Sequence, residues 1–312
     1  MEGPCLVIGA SGLVGGTFVH ALAAEATPVV GTSHHRAAHG LEPLDITDQA
    51  AVDAFVRRIR PSLVVLPAAF TDVDGCEREP DRAHRVNVEG VRRVAEACRA
   101  LELPLVFFSS EYVFDGTAGP YDETAVPHPV NVYGRTKLEA EQCLQRLLER
   151  WLIIRTTVVF GYDPHSKNTA MALLERVGRG ETMRCSADQL MNPTHVEDLV
   201  RLTRCLMARN ARGIYHVVGR DRVSRYAFAR RLAQALGYDE RLVAPVASEA
   251  LGQRAPRPLA AGLKTHKLTE STGEVPWSLD QAVARFRDQW RAAMSGSTTR
   301  SQVGAAHGRP GA

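Results

Sequence analysis

Tyr133 and Lys137 stand four residues apart in Tyr-Gly-Arg-Thr-Lys, a spacing that puts both side chains on one face of a helix. An ammonium beside a phenol favours the tyrosinate and lowers its pKa from about 10. A phenol tuned in this way can give a proton to a carbonyl oxygen as a hydride arrives, or take one in reverse. Ser109 and Ser110 close the apolar run 105–108, where a hydroxyl can hydrogen-bond the same carbonyl. Serine, tyrosine and lysine in this arrangement are the parts of a ketone–alcohol hydride-transfer site. The lysine carries extra weight because the type is scarce: the 38 basic residues are 34 Arg and only Lys137, Lys167, Lys264 and Lys267. A compact ammonium that must touch both a ribose and a phenol is not replaceable by a guanidinium.

The chain begins with a second chemical signature. Cys5-Leu6-Val7-Ile8 reads as a strand, and Gly9-Ala10-Ser11-Gly12-Leu13-Val14-Gly15 follows it directly at the opening of a helix. Gly9 allows the tight turn, Gly12 lets the backbone approach a pyrophosphate, and Gly15 permits close helix–sheet packing. The amides of the helix start then face the anion. This predicts a dinucleotide site formed by Gly9, Ser11, Gly12, Leu13, Val14 and Gly15. The second strand ends in Gly31-Thr32-Ser33-His34-His35-Arg36, with no acid for a ribose 2′-hydroxyl. Ser33 and Arg36 are therefore expected to serve the adenosine ribose, Arg36 as a bidentate partner for a 2′-phosphate. NADP(H) is favoured over NAD(H).

The elements that must position these groups alternate along the first half. Apolar runs at 63–66, 105–108 and 152–154 are separated by helical patterns at 13–24, 50–59, 82–100 and 133–150. That pattern predicts a doubly wound α/β fold with a parallel sheet covered on both faces. Helices are expected at 169–177, 196–208, 225–236 and 278–291, a strand at 213–218, and an ordered loop at 245–258. The expected organisation is a Rossmann domain at 1–160 with segments near 195–218 returning to it. A smaller substrate lobe is expected at 161–194 and 219–293, and a disordered tail at 294–312.

Composition narrows the classes. The 312 residues carry a net charge of +3 and are 45% hydrophobic, which gives no strong field for nucleic acid or anionic lipid. No apolar run is long enough for a membrane span, the first residues do not read as a signal peptide, and the six cysteines are scattered without zinc spacing. A cytoplasmic protein with reduced thiols, no metal and no nucleic-acid or membrane partner is expected, as a monomer or homodimer. His34 and His35 are adjacent and point apart, which is poor geometry for a metal.

These stretches resemble the extended short-chain dehydrogenase/reductases, and more narrowly the dTDP-4-dehydrorhamnose reductase-like group. The resemblance runs through 9–15, Leu44-Asp45-Ile46-Thr47-Asp48, Ala68-Ala69-Phe70-Thr71-Asp72-Val73-Asp74-Gly75-Cys76-Glu77 and Arg85-Val86-Asn87-Val88-Glu89-Gly90. It continues through Ser109-Ser110-Glu111-Tyr112-Val113-Phe114-Asp115-Gly116 and Asn131-Val132-Tyr133-Gly134-Arg135-Thr136-Lys137, with weaker echoes as far as Arg257-Pro258. It implies that Ser110 is the catalytic hydroxyl, Tyr133 the acid/base and Lys137 the ribose-binding lysine. Asp45 and Ile46 would contact adenine, and Ala68, Ala69 and Phe70 the pyrophosphate and ribose. Asn87 would support the nicotinamide side, and Glu111 and Tyr112 would lie near the sugar.

The chain departs from the group's pattern at Glu111, which replaces a shorter acid, and at Val158, which replaces an aromatic after Arg155-Thr156-Thr157. Arg257, held between Pro256 and Pro258, is a candidate for a nucleotide diphosphate. The implied activity is reduction of a nucleotide-linked 4-keto-6-deoxy sugar. Two alternatives stand beside it: an NADP-binding regulatory subunit resembling the methionine adenosyltransferase β subunit, and an epimerase or dehydratase on the same scaffold.

Overall fold

The computed structural model describes residues 3–34 and 39–304. In chain order the first half holds β1 (Cys5–Ile8), α1 (Leu13–Ala24), β2 (Val29–Ser33), β3 (Leu41–Pro43), α2 (Gln49–Ile59), β4 (Leu63–Leu66), α3 (Val73–Arg78), α4 (Pro80–His84), α5 (Val91–Ala100), β5 (Leu105–Ser110), α6 (Val132–Leu147) and β6 (Trp151–Thr156). The second half holds β7 (Val159–Phe160), α7 (Thr169–Val177), β8 (Met183–Ser186), β9 (Leu190–Met191), β10 (Thr194–His195), α8 (Val196–Ala208), β11 (Gly213–His216), β12 (Val223–Ser224), α9 (Arg225–Leu236), β13 (Val243–Val246), α10 (His266–Thr272) and α11 (Leu279–Gly304).

Seven strands form one sheet in the order β11-β6-β5-β4-β1-β2-β3, and every neighbouring pair is parallel. Parallel strands in this setting are buried on both faces, and the side-chain alternation follows. Leu6 and Ile8 of β1 join Val64, Leu66, Phe107 and Ile153 in a core under α2, α5 and α6. Cys5 and Val7 join Val65, Val106 and Phe108 in a second core under α1 and α8. The chain leaves β1 in one direction to β2 and returns on the other side at β4, so a crevice opens between them at the carboxyl ends of the strands. A third core, built on Phe160, Leu173, Phe228, Leu232 and Phe286, belongs to β7, α7, α9 and α11.

The differences from the sequence expectation have local causes. The helix expected over 82–100 is α4 and α5 joined by a π-helical turn, Arg85–Gly90, which inserts a residue and rotates Asn87 inward to full burial. Such turns cluster at functional positions. The loop expected at 245–258 begins as β13, paired with β8. The tail expected from residue 294 is helical as far as Gly304: α11 is anchored upstream by the buried Phe286 and by Gln289 at His195 and Glu197, and its helix propagates onward from there. Residues 305–312 of that expected tail lie outside the described residues.

One buried ion pair ties α6 to the sheet. Arg155 of β6 donates from Nε and Nη2 to the two carboxylate oxygens of Glu141 at 2.9 and 2.7 Å, with both side chains essentially sealed from solvent. Removing one partner strands the other charge. Glu141→Ala should therefore cost about 3–5 kcal/mol in denaturant unfolding, and the double change Glu141→Met with Arg155→Met should cost clearly less.

Candidate active site

The loop after β1 is shaped by its glycines. Gly9 has φ of +99° and packs on Ala68, and a Cβ at Gly15 would meet the Gly9 carbonyl oxygen at 2.3 Å. At Gly12 a Cβ would find only that oxygen, at 3.5 Å, so this face of the turn is open. The first turn of α1 contains no acid, and its leading amides have no intrahelical acceptor. They line a cleft of about 890 Å³ along the carboxyl edge of the sheet, together with Gly9, Ser11, Gly12, Leu13, Val14 and Gly15.

Most of the other expected site residues line the same cleft. Asp45 and Ile46 form one end, with Asp45 Oδ1 accepting the Thr47 amide and hydroxyl at 2.8 Å each. Ala68, Ala69 and Phe70 leave β4 across the floor. Ser109, Ser110, Glu111 and Tyr112 come from the end of β5, and Tyr133 and Lys137 from the first turns of α6. Three buried hydroxyl oxygens on this wall, Thr32 Oγ1, Ser109 Oγ and Thr156 Oγ1, have no hydrogen-bond partner among the described residues. Buried polar atoms are normally paired, so the wall is built for a polar, extended, anionic ligand, and a dinucleotide fits it.

Three expected site residues stand elsewhere, and a fourth is not described. Ser33 is buried at the end of β2, its carbonyl taking the Leu44 amide at 3.0 Å. Arg36 lies outside the described residues. Asn87 does not reach the cleft but braces it: its Oδ1 accepts from the Phe70 amide at 2.7 Å, and its Nδ2 donates to the Phe70 carbonyl at 3.1 Å and to Thr136 at 3.2 Å. Arg257 is not part of the wall. It is nearly buried, and its Nη2 sits 3.0 Å from Asp74, so its charge is already committed.

The reacting end is set by α6. Asn131 caps that helix by accepting the Gly134 amide at 2.7 Å, which starts it one residue before Tyr133. The Ser110 hydroxyl accepts the Tyr112 amide at 3.2 Å, and it is close enough to the Tyr133 phenol to favour its ionised form. Tyr112 meets Tyr133 edge to face at 5.8 Å. Lys137 is buried, with its Nζ 4.3 Å from the centre of the Phe107 ring.

The electrostatics differ from the sequence expectation. Burial holds Tyr133 above its ordinary pKa, with Ser110 pulling the other way, and Lys137 is not among the groups that move it. The lysine is itself desolvated, which brings it down to about 7 against the opposing pull of Glu141.

Glu111 is not turned toward a sugar. One carboxylate oxygen takes the Thr157 hydroxyl and the other the Gly262 amide at 3.1 Å, so its longer side chain bridges β5 to the segments after β6 and β13. Val158 lines the cleft with φ of +36°, a left-handed backbone that a β-branched residue rarely adopts and that concentrates at functional sites. Sequence reasoning missed Thr156, Arg85, Lys167 and Arg225 on the wall. Lys167 alone carried a legible signal, as one of the four lysines.

Burial raises Glu111 to about 7. Below the ordinary carboxylate value both folded and unfolded chains hold this proton; between that value and about 7 only the folded chain does. Its stabilising contribution is therefore complete at low pH and lost as pH rises through about 7. Glu111→Gln should gain on the wild type by on the order of 2 kcal/mol between pH 5 and pH 7.5 in urea unfolding.

Comparison with known proteins agrees with this geometry. The chain is 36% identical over 256 residues to the dTDP-4-keto-6-deoxy-D-glucose reductase of Streptomyces niveus, covering 81% of this chain and 86% of that one. It is 30% identical over 270 residues to methionine adenosyltransferase 2 subunit beta of Xenopus laevis, covering 84% and 80%. The crystal structure of dTDP-4-dehydrorhamnose reductase from Bacillus anthracis in complex with NADP matches with a TM-score of 0.86 and 29% identity, over 93% of this chain and all of that one. The sequence profile of the RmlD substrate binding domain matches residues 3–292, and the chain belongs to that family.

Proposed function

We propose that the protein is an NADP(H)-dependent reductase of a nucleotide-linked 4-keto-6-deoxy sugar. The observation that supports this reading is that Ser110, Tyr133 and Lys137 line the same cleft as the open glycine turn. NADPH, when bound, supplies the hydride. The turn at 9–15 and the α1 amides hold its diphosphate, and Asp45 and Ile46 flank the adenine.

The residues at the reacting end handle the proton. Tyr133, held above its ordinary pKa by burial, keeps its proton at neutral pH, which is the state a reductase needs. It donates to the ketone oxygen as negative charge develops there. Ser110, which favours the ionised phenol, can follow the same charge. Lys137, once protonated, stabilises the phenolate that remains, and its ammonium is compact enough to hydrogen-bond a ribose as well.

A dehydratase needs a second acid/base beside the serine, and Glu111 has both oxygens engaged by Thr157 and Gly262. A cofactor-binding regulatory subunit is the second reading, and the likeness to methionine adenosyltransferase 2 subunit beta favours it. NADPH oxidation with dTDP-, UDP- and GDP-linked 4-keto sugars separates the two, because a regulatory subunit oxidises none. Tyr133→Phe should lower turnover about 100-fold to 10,000-fold while leaving NADPH binding, read by nicotinamide fluorescence, unchanged. Turnover that survives this change would refute the acid role of Tyr133.

A further inference from the structure

We infer that Arg225 and Lys167 form the anion-binding end of the substrate site and grip the diphosphate of the nucleotide-linked sugar; this rests on the reading proposed above. Arg257, the residue nominated by sequence for this task, is spent on Asp74. Among the described cations of the wall, Arg82 is paired with Glu79 and stacked on Phe70, and Lys137 is buried at the reacting end. Arg85 comes from the first half of the chain, at the start of the π-helical turn before α5.

Lys167 and Arg225 come from the second half of the chain, and neither has a side-chain hydrogen bond or ion pair among the described residues. Lys167 sits between β7 and α7. Arg225 opens α9, where its position is fixed by its own amide on the Gln189 carbonyl at 3.1 Å and by the Ser224 hydroxyl capping the helix at Ala227. Its Nε is buried without an acceptor.

The acids nearby do not answer this charge. Glu111 lies within electrostatic range of Arg225 but is bonded to Thr157 and Gly262. Asp163, on the Lys167 loop, takes the His165 amide at 2.9 Å. A buried guanidinium nitrogen lacking an acceptor is costly, and a phosphate oxygen is the acceptor its planar fork matches best. An arginine and a lysine together balance the two charges of a diphosphate. On the reading proposed above the cofactor's diphosphate takes the glycine turn, which leaves Lys167 and Arg225, from the second half of the chain, to the substrate's.

The test uses the full-length protein saturated with NADPH. Calorimetric binding of dTDP, UDP, GDP and inorganic pyrophosphate is compared with binding of the bare nucleosides. In Arg225→Gln the tightest nucleoside diphosphate should bind roughly tenfold weaker or worse. Lys167→Gln should weaken it several-fold, and Arg225→Lys should recover part of the loss. Nucleoside binding and the NADPH dissociation constant should change less than about twofold, which also shows that the variants are folded. KM for any keto-sugar substrate should rise with little change in kcat. Unchanged diphosphate binding in Arg225→Gln, an equal loss of NADPH affinity, or a wild type that binds none of the diphosphates would overturn the inference. A wild type that binds diphosphates through Arg225 but oxidises no NADPH would keep it and refute the reductase.

Discussion

The buried pair between Arg155 and Glu141 is the contact on which the rest of the site depends. Tyr133, Lys137 and Glu141 lie at intervals of four residues on α6, so they share one face, and the last of them is bolted to β6 by two parallel hydrogen bonds. A bidentate fork fixes both the rotation and the axial position of the helix, which a greasy contact would leave freer. A reacting geometry tolerates little displacement. The desolvation of two charges makes such a pair a poor net stabiliser, so its value here is registration. The same guanidinium lies 5.1 Å above the Phe114 ring, which stacks on Tyr121 at 4.3 Å, and the Tyr121 hydroxyl donates to Asp115 at 2.6 Å. The segment that follows Ser110 is therefore keyed to the pair that holds Tyr133.

The segment 255–263 closes over this end through polar clips. The Ala255 amide reaches Asp74 at 3.0 Å, the Pro256 carbonyl accepts from Asn131 at 2.9 Å, the Gly262 amide reaches Glu111, and the Leu263 amide reaches Asn192 at 2.9 Å. Each clip satisfies a backbone group that would otherwise be stranded beneath the surface. Asn131 serves twice, capping α6 with its oxygen and holding the cover with its nitrogen. The start of α6 and the position of the 255–263 segment are thus set by one side chain.

The alternation of apolar runs with 3.6-period stretches made the sheet and its switch point readable in the sequence. Local signals sufficed for β1, β4, β5 and β6 because these central strands are buried on both faces, whereas the short, half-exposed edge strand β3 left no such pattern. The glycine turn was readable for the same reason: its constraints act within seven residues. What escaped were features decided by distant partners. Nothing near Asn87 announces a π-helical turn, since its reward is the Phe70 backbone seventeen residues earlier. Arg257 looked aimed at a ligand because its flanking prolines are visible, whereas Asp74, which claims it, is 183 residues away. Arg225 was one arginine among 34, and only the fold shows that its Nε has no acceptor. Nothing near Glu111 in sequence announces its bonds to Thr157 and Gly262, which lie 46 and 151 residues further on.

The pKa error at Tyr133 has the most chemical content. Spacing alone treats Lys137 as an ammonium in water, free to acidify its neighbour. Burial reverses the premise. Tyr133 and Glu111 are pushed up and Lys137 down, so all three titratable groups at the reacting end are moved toward their neutral forms. A floor that carries little charge before the substrate arrives is cheap to dehydrate, and in the resulting low dielectric each hydrogen bond to a developing oxyanion is strengthened. Under the proposed function, negative charge would develop at this end on the ketone oxygen and next on the Tyr133 oxygen. Lys167, Arg225 and Arg85, which have no ion pair among the described residues, also line the cleft. A site arranged in this way separates the task of holding anions from the task of moving a proton, and the buried helix α6 is what keeps the two apart.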